Sequence, residues 1–359
     1  MMLTNHKIVQ PIDSASSETD PFGLASALGF GDIHFKIDEP TGLRAIIAIH
    51  NTRLGPALGG CRFAAYPSTN EAMVDALKLA RSMSYKAAMA GLPLGGGKAV
   101  ILRPDYFKNR QALFEAYGRF IDELGGRFIS SVDSGTGVGD MDAAARHTDF
   151  VRSTSADGDP SPWTAMGVRR GIQAAVKHKL KRDNLDGIHI AIQGAGHVGY
   201  PLAKELHTLG ARLTMCDMDQ VATERCADEF GAVIVKPERI LQTKADVFAP
   251  CALGGVINDE TAHTLDVKIV AGATNNPLAS IEHAMALHHR DILYAPDYII
   301  NAGGIMQVWM RKGDELQSKV NNIYESLLRT FEYAEKTAQS PAVVVDQMAE
   351  KILYGPKPE

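Results

Sequence analysis

The apolar run Ile188-His-Ile-Ala-Ile-Gln193 is followed at once by Gly194-Ala-Gly196-His-Val198-Gly199, and then by a helical pattern over 201–209. In a strand-turn-helix unit the three glycines do different work. Gly194 permits the tight turn, Gly196 lets a pyrophosphate approach the backbone, and Gly199 lets helix and strand pack closely. The phosphate charge then meets the positive end of the helix. Asp217 follows a second strand pattern over 212–216 and lies about twenty residues beyond the glycines, where an acid accepts hydrogen bonds from the adenosine ribose. A carboxylate there repels a 2′-phosphate, so NAD is expected over NADP. Three glycines alone could merely close a loop; strand, helix and acid together weigh against that.

A second candidate is Leu92-Pro-Leu-Gly95-Gly96-Gly97-Lys98. Ala99 breaks the G-x-x-x-x-G-K-[ST] frame, so this is no P-loop. Read as a loop between a helix and a strand, the glycines permit unusual backbone angles and close approach of a ligand. A lysine leaving such a loop can be stripped of water, which makes an amine a usable acid or base near neutrality. Lys86, near the end of the preceding helix, could share a cleft with it. Two surface lysines beside a flexible loop are the alternative.

The chain that positions these groups has 359 residues, 45% hydrophobic and 22% charged, with a formal net charge of -5. At roughly 100–200 residues per domain, two domains are expected. The charge balance counts against a general nucleic-acid binder. The longest uncharged run, 87–97, is broken by glycines and a proline, so no membrane span is expected. Residues 1–23 read as a polar extension without the apolar core of a signal peptide. Cys61, Cys216, Cys226 and Cys251 show no C-x-x-C spacing and no zinc-site histidine, so reduced thiols in cytoplasm and no metal are expected.

The run 43–49 reads as a buried strand, and Ser68-Thr-Asn-Glu71 has the spacing of a capping box. Met73, Leu77, Ala80, Met83 and Ala87 then mark one face of a helix ending near Gly91. A short strand is expected over 100–102, a helix over 111–124 and a strand from Phe128. Residues 153–162 are nearly all turn-formers and mark a domain boundary. Beyond them strands and helices alternate, implying a parallel sheet. Leu316, Val320, Ile323, Leu327, Phe331 and Ala334 mark a long C-terminal helix, and Val345, Met348 and Ile352 a shorter one.

Gly55-Pro-Ala-Leu-Gly-Gly60, Ser84-Tyr-Lys86, the Leu92–Lys98 segment, Asn275-Asn276 and Ala295-Pro-Asp-Tyr-Ile-Ile-Asn301-Ala-Gly-Gly304 resemble, in type and order, the amino-acid dehydrogenases acting on glutamate, leucine, phenylalanine and valine. The likeness runs over about residues 30–355 and is greatest to the leucine enzymes. It implies an α/β fold of two domains separated by a cleft: a substrate-binding domain over 24–152, with C-terminal helices 315–359 packing back on it, and a Rossmann NAD-binding domain over 153–314.

By the same resemblance Lys86 grips the substrate carboxylate with Asn301, near Gly60, and Lys98 is the general acid/base. Asp133 exchanges protons with the amino group, although Asp133 and Asn301 read alone are ordinary turn residues. Gly194, Gly196, Val198, Gly199 and Asp217 hold the cofactor, with Thr164 and Asn275 at the nicotinamide and its ribose. Leu58, Met83, Ser131, Ile305 and Val308 line the side-chain pocket. The chain departs from the family pattern at Val132, at Pro104-Asp105 and at Ser131, where leucine enzymes usually have alanine and phenylalanine enzymes glycine.

The implied reaction is NAD-dependent oxidative deamination of an apolar amino acid, leucine or another branched-chain residue preferred, by a cytoplasmic homo-oligomer of dimers or octamers. Phenylalanine dehydrogenase is the second reading. A catalytically silent NAD-binding regulator is the reading from another class.

Overall fold

The computed structural model describes residues 21–30, 32–104, 106, 109–252, 254–311 and 313–356. Most of the expected extension, and Asp105, lie outside them. The chain forms two compact units, one running to Ala88 and resuming over Pro93–Asp157, the other comprising Met89–Leu92 and the chain from Gly158 on.

In the first unit the order is α1 (Pro21–Ala27), β1 (Asp32–Asp38), β2 (Leu43–Asn51), β3 (Ala57–Ala64), α2 (Thr69–Met89), β4 (Gly95–Leu102), α3 (Arg110–Glu123), β5 (Phe128–Val132) and α4 (Val138–Ala144). The strands make one sheet in the order β1-β2-β4-β3-β5. β2 runs antiparallel to β1 and β4, while β3 is parallel to β4 and β5. The serine half of the expected capping box is present: Glu71 N donates to Ser68 Oγ at 3.2 Å at the start of α2.

Strand alternation divides the side chains between two cores. Ala99, Ile101, Cys61 and Phe63 pack with Leu113, Phe114, Tyr117 and Met141 of α3 and α4. Val100 and Ala48 pack with Met73, Ala76, Leu77 and Ala80 of α2 and with Leu24 of α1. A period of two therefore places Lys98, Leu58, Gly60 and Arg62 on the α2 side.

The second unit opens on α5 (Ser161–Leu180) and continues β6 (His189–Gln193), α6 (Gly199–Thr208), β7 (Arg212–Cys216), α7 (Gln220–Phe230), β8 (Val233–Ile234), α8 (Pro237–Ile240), β9 (Val247–Pro250), α9 (Thr261–Thr264), β10 (Ile269–Val270), α10 (Ile281–His289) and β11 (Leu293–Tyr294). Helices α11 (Asp297–Ile300), α12 (Gly303–Met310), α13 (Asp314–Asn321), α14 (Ile323–Thr337) and α15 (Pro341–Tyr354) complete it. All pairings in its sheet are parallel, in the order β11-β10-β9-β6-β7-β8. This is the doubly wound Rossmann order, whose direction reverses between β6 and β9 and opens a ligand crevice at the strands' carboxyl ends.

Two expectations need correction. The C-terminal helices are part of the second unit: a Cβ at Gly167 of α5 would lie 2.8 Å from Ile323 Cδ1, and one at Gly171 would lie 2.9 Å from Leu327 Cδ1. Ala342 of α15 joins Phe248, Val270 and Tyr294 in the second unit's core. The amphipathic pattern of these helices requires a buried face without naming its partner, and two glycines of α5 supply a close seat. The long C-terminal helix is also two helices, α13 and α14, meeting at Asn322.

The other correction concerns the triple glycine, which is the first half of β4 and not a loop. Its glycines answer to contact within the fold. A Cβ at Gly96 would stand 2.0 Å from Ser84 N, and one at Gly95 would stand 1.7 Å from Asn51 O.

Candidate active site

Lys98 extends from β4 on the α2 side, its side chain only 6% exposed, with Nζ 2.5 Å from Asp133 Oδ2. Asp133 follows β5, and the turn there is held by its N–H donating to Thr136 Oγ1 at 2.9 Å. Arg62 Nε donates to the same Oδ2 at 3.2 Å. Burial works to raise the Asp133 carboxyl, but the Lys98 ammonium, its hydrogen bond and the Arg62 guanidinium outweigh it and hold the group below the usual carboxylate range. The carboxylate is therefore ionised at neutral pH, and a proton can pass between Nζ and Oδ2 directly.

Glycine is required where these strands meet. A Cβ at Gly60 would lie 2.7 Å from both Asp133 Cβ and Val132 O, and one at Gly59 would lie 1.8 Å from Gly97 O. Gly60 is in register with Ser131 on β5, and Leu58 with Ile129. Leu58 and Ser131 are buried; Met83 and Lys86 are half-buried and lie three residues apart on α2. Ser84, between them, bonds His50 Nδ1 at 2.8 Å, while His50 Nε2 meets Leu28 O at 3.2 Å. The carbonyl can only accept, so Nε2 is the donor and Nδ1 accepts from the serine. Burial first, and Arg81 second, push this imidazole down to about 4, so it is neutral at pH 7 and pins α2 to β2.

In the second unit the three glycines of the β6–α6 turn differ in what surrounds them. Gly194 has φ +106°, and a Cβ there would approach Cys251 O at 2.8 Å. A Cβ at Gly199 would stand 2.0 Å from Gly194 O, whereas no atom lies within 4 Å of one at Gly196. The site thus has open backbone at the one glycine a pyrophosphate would approach, beside Val198 at the start of α6. Asp217 Oδ2 accepts from Ala195 N at 2.6 Å and Oδ1 from Asp219 N at 2.9 Å. The acid braces the glycine turn, and each oxygen keeps a lone pair for a ribose hydroxyl. Asp219 itself caps α7, accepting from Val221 N at 2.9 Å.

Thr164 lies in the first turn of α5, where a Cβ at Gly304 would come within 2.6 Å of its Oγ1. Asn301 Nδ2 donates to Ala273 O at 3.0 Å and to Asn275 Oδ1 at 2.9 Å. Both amide hydrogens are thereby engaged, and the buried Oδ1 finds no hydrogen-bond partner among the described residues. That oxygen suits an N–H donor. Gripping a carboxylate, the role the resemblance implies, requires Nδ2 to release Asn275. Ile305 and Val308 are buried, three residues apart on α12.

Two family models match the chain: "Glu/Leu/Phe/Val dehydrogenase, dimerisation domain" over residues 31–150 and "Glutamate/Leucine/Phenylalanine/Valine dehydrogenase" over residues 218–348. Leucine dehydrogenase of Thermoactinomyces intermedius is 46% identical over 326 residues, 88% of each chain. The chain belongs to the Glu/Leu/Phe/Val dehydrogenase family. Leucine dehydrogenase of Geobacillus stearothermophilus is 44% identical, covering 92% of each chain. The crystal structure of L-tryptophan dehydrogenase from Nostoc punctiforme superposes with a TM-score of 0.82 at 38% identity, covering 92% of this chain and 98% of that one.

Within this Glu/Leu/Phe/Val dehydrogenase the sequence left Arg62 unremarked, along with Asp75 and Tyr66, which contact it and each other. Alternation from Gly60 through Cys61 would have placed Arg62 on the same face as Gly60, had 57–64 been read as a strand. Among the described residues no group of three or more His, Cys, Asp or Glu could hold a metal ion. None of the described helices is long and apolar enough to cross a membrane. The four cysteines are free thiols, and burial pushes Cys61 and Cys251 up to about 12.

Proposed function

We propose that this dehydrogenase oxidises a branched aliphatic amino acid, leucine or a near analogue, with NAD, releasing the 2-oxo acid and ammonium, and catalyses the reverse reductive amination. The amino-acid dehydrogenase reaction is that of the family, and the leucine preference accords with the leucine dehydrogenases it is similar to. The observation that carries the reading is the pair of buried Lys98 and half-buried Asp133, beside Gly60, with Leu58 and Ser131 on the adjoining strands. Such a pair argues against a silent NAD-binding regulator, which would need no buried proton carrier.

Gly194, Gly196, Val198, Gly199 and Asp217 would hold NAD, with Thr164 and Asn275 toward its nicotinamide, which would supply the acceptor for the hydride from the α-carbon. Lys86 binds the α-carboxylate. Asp133 Oδ2 takes a proton from the substrate ammonium, leaving a neutral amine whose lone pair can form the C=N bond as hydride leaves the α-carbon. With its own proton released to solvent, neutral Lys98 Nζ takes a proton from the water that adds to the iminium carbon and returns it to the nitrogen of the carbinolamine, which collapses to the 2-oxo acid as its hydroxyl proton leaves with the ammonia as ammonium.

Leu58, Met83 and Ser131, the first unit's residues assigned to the substrate side chain, carry no charge, so a glutamate carboxylate buried against them would be unpaired and strongly disfavoured. Leucine against phenylalanine is a question of volume. Ser131 is larger than glycine and so crowds a ring. Leucine should exceed phenylalanine in kcat/KM by about tenfold or more, since a single methylene in an apolar pocket already gives about that discrimination. The reverse order would establish the phenylalanine reading and leave the reaction standing.

Asp217 should govern the cofactor. Asp217→Ser is expected to weaken NAD binding about tenfold, from loss of hydrogen bonds to a charged acceptor, and to improve NADP relative to NAD. Titration of both nucleotides checks this, and unchanged affinities would move the role to Asp219. The working form is proposed to be a cytoplasmic homo-oligomer, dimers assembling into octamers, in accord with the dimerisation-domain description of residues 31–150. Its partners are small molecules, with neither nucleic acid nor membrane among them.

A further inference from the structure

Arg62 bridges two carboxylates. Its Nε donates to Asp133 Oδ2 at 3.2 Å and its Nη1 to Asp75 Oδ2 at 2.8 Å. Tyr66 OH donates to that same Asp75 oxygen at 2.6 Å. The chain of contacts therefore runs from Tyr66 beyond β3, through Asp75 on α2 and Arg62 on β3, to Asp133 beyond β5, and ends on Lys98 of β4 at 2.5 Å. We propose that Arg62, anchored by Asp75 and Tyr66, is a positioning residue for the Lys98–Asp133 pair: it fixes Oδ2 against the lysine and supplies a constant positive charge while the lysine's charge comes and goes. The proposal rests on the reading of Lys98 and Asp133 as proton carriers.

A guanidinium suits this work because it cannot be deprotonated in a protein and because its planar fork holds two acceptors in fixed directions. When Lys98 gives up its proton, Arg62 is the cation left on Oδ2. The charged groups facing Asp133 are Lys98 from β4 and Arg62 from β3, while Asp75 from α2 reaches it through Arg62. Burial opposes the Arg62 charge, but Asp133 and Asp75 outweigh it and raise the group above its ordinary value. Burial, then the hydrogen bond to Asp75, raise the Tyr66 hydroxyl, so it remains a donor throughout the working pH range.

The test measures kcat, KM and the pH dependence of kcat/KM in full-length Arg62→Gln, Arg62→Lys and Asp75→Asn, with thermal melting and NADH binding for each. Arg62→Gln should lower kcat about tenfold or more while KM for the amino acid moves less than about threefold. Its acid limb should move to higher pH, since the Asp133 carboxyl loses a cation that favoured its ionised form. Arg62→Lys should return the limb toward the wild-type position and recover only part of kcat, because an ammonium restores the charge without the two-point fork. Asp75→Asn should lower kcat in the same sense with the Arg62 charge intact. A wild-type acid limb in Arg62→Gln, or a lysine variant no better than the glutamine one, would overturn the proposal. If Arg62→Gln does not melt cooperatively, Asp75→Asn with Tyr66→Phe decides, and wild-type kcat in both is the contrary result. An inactive Lys98→Ala beside a wild-type limb in Arg62→Gln would sink this inference alone, whereas an active Lys98→Ala would sink the reading of the pair.

Discussion

Replacing Lys98 with alanine should abolish turnover and leave NAD binding intact. The lysine belongs to the first unit, and the β6–α6 glycine turn to the second. Positioned acid–base groups contribute about 10²–10⁴-fold, so kcat should fall at least about a hundredfold, a barrier increase of about 2.7 kcal/mol. The loss is chemical more than structural. Removing one partner of a buried pair can cost about 3–5 kcal/mol by stranding the other charge. Here Arg62 stays on the same Asp133 oxygen at 3.2 Å, and Asp133 keeps 22% of its side chain exposed, so the destabilisation should be below that range. Steady-state kinetics, nucleotide titration and a thermal melt on one preparation separate these terms. A mutant keeping more than about one tenth of wild-type kcat, an effect under about 1.4 kcal/mol, would remove Lys98 from the chemistry.

Gly96→Ala should be nearly as damaging without touching a reactive group. The added methyl would lie 2.0 Å from Ser84 N, a backbone atom of α2 that cannot turn aside. Relief comes only by moving α2 from β4, which carry Lys86 and Lys98. Overpacking of this kind costs about 1–3 kcal/mol and sometimes more. A shift near 1 Å at a catalytic group can lower rate about a hundredfold. Gly139→Ala is the matched control, with no atom within 4 Å of its Cβ and a place in the first turn of α4, where alanine should stabilise by about 0.4–1 kcal/mol. A lowered melting temperature and lost kcat/KM are expected for the first, and wild-type kinetics with a small gain in stability for the second. Equal behaviour of the two would mean that the α2–β4 contact does not set the site.

The second unit was legible because its strands are short apolar runs between helices of clear period, bounded by turn residues at 194–196, 210 and 231. The edge strand β8, with both residues exposed, was not singled out. Helix α5 escaped because its first turn, Ser161-Pro162, falls at the end of a run of turn-formers and reads as linker until the proline is placed at a helix start. In the first unit β3 was hidden by Gly59 and Gly60, residues that weaken strand propensity in isolation and are demanded by neighbours absent from the local sequence. The same blindness concealed Arg62. Lys98 and Asp133 were nameable from motif likeness, but that they form one ion pair is a consequence of β3, β4 and β5 lying side by side, a long-range fact. The role of glycines 95–97 was misjudged for a related reason: glycine signals that a side chain is excluded, and only the packed sheet shows whether a ligand or another strand excludes it.

The central claim is that Lys98 and Asp133 serve the NAD-dependent deamination of an aliphatic amino acid. Its most direct test incubates the purified protein with NAD and a panel of L-amino acids, leucine, valine, phenylalanine, tryptophan and glutamate among them, and follows NADH absorbance together with released ammonium. The expected result is NADH and ammonium in equal amounts, fastest with leucine or a near analogue and negligible with glutamate. NAD binding without NADH from any amino acid would contradict it.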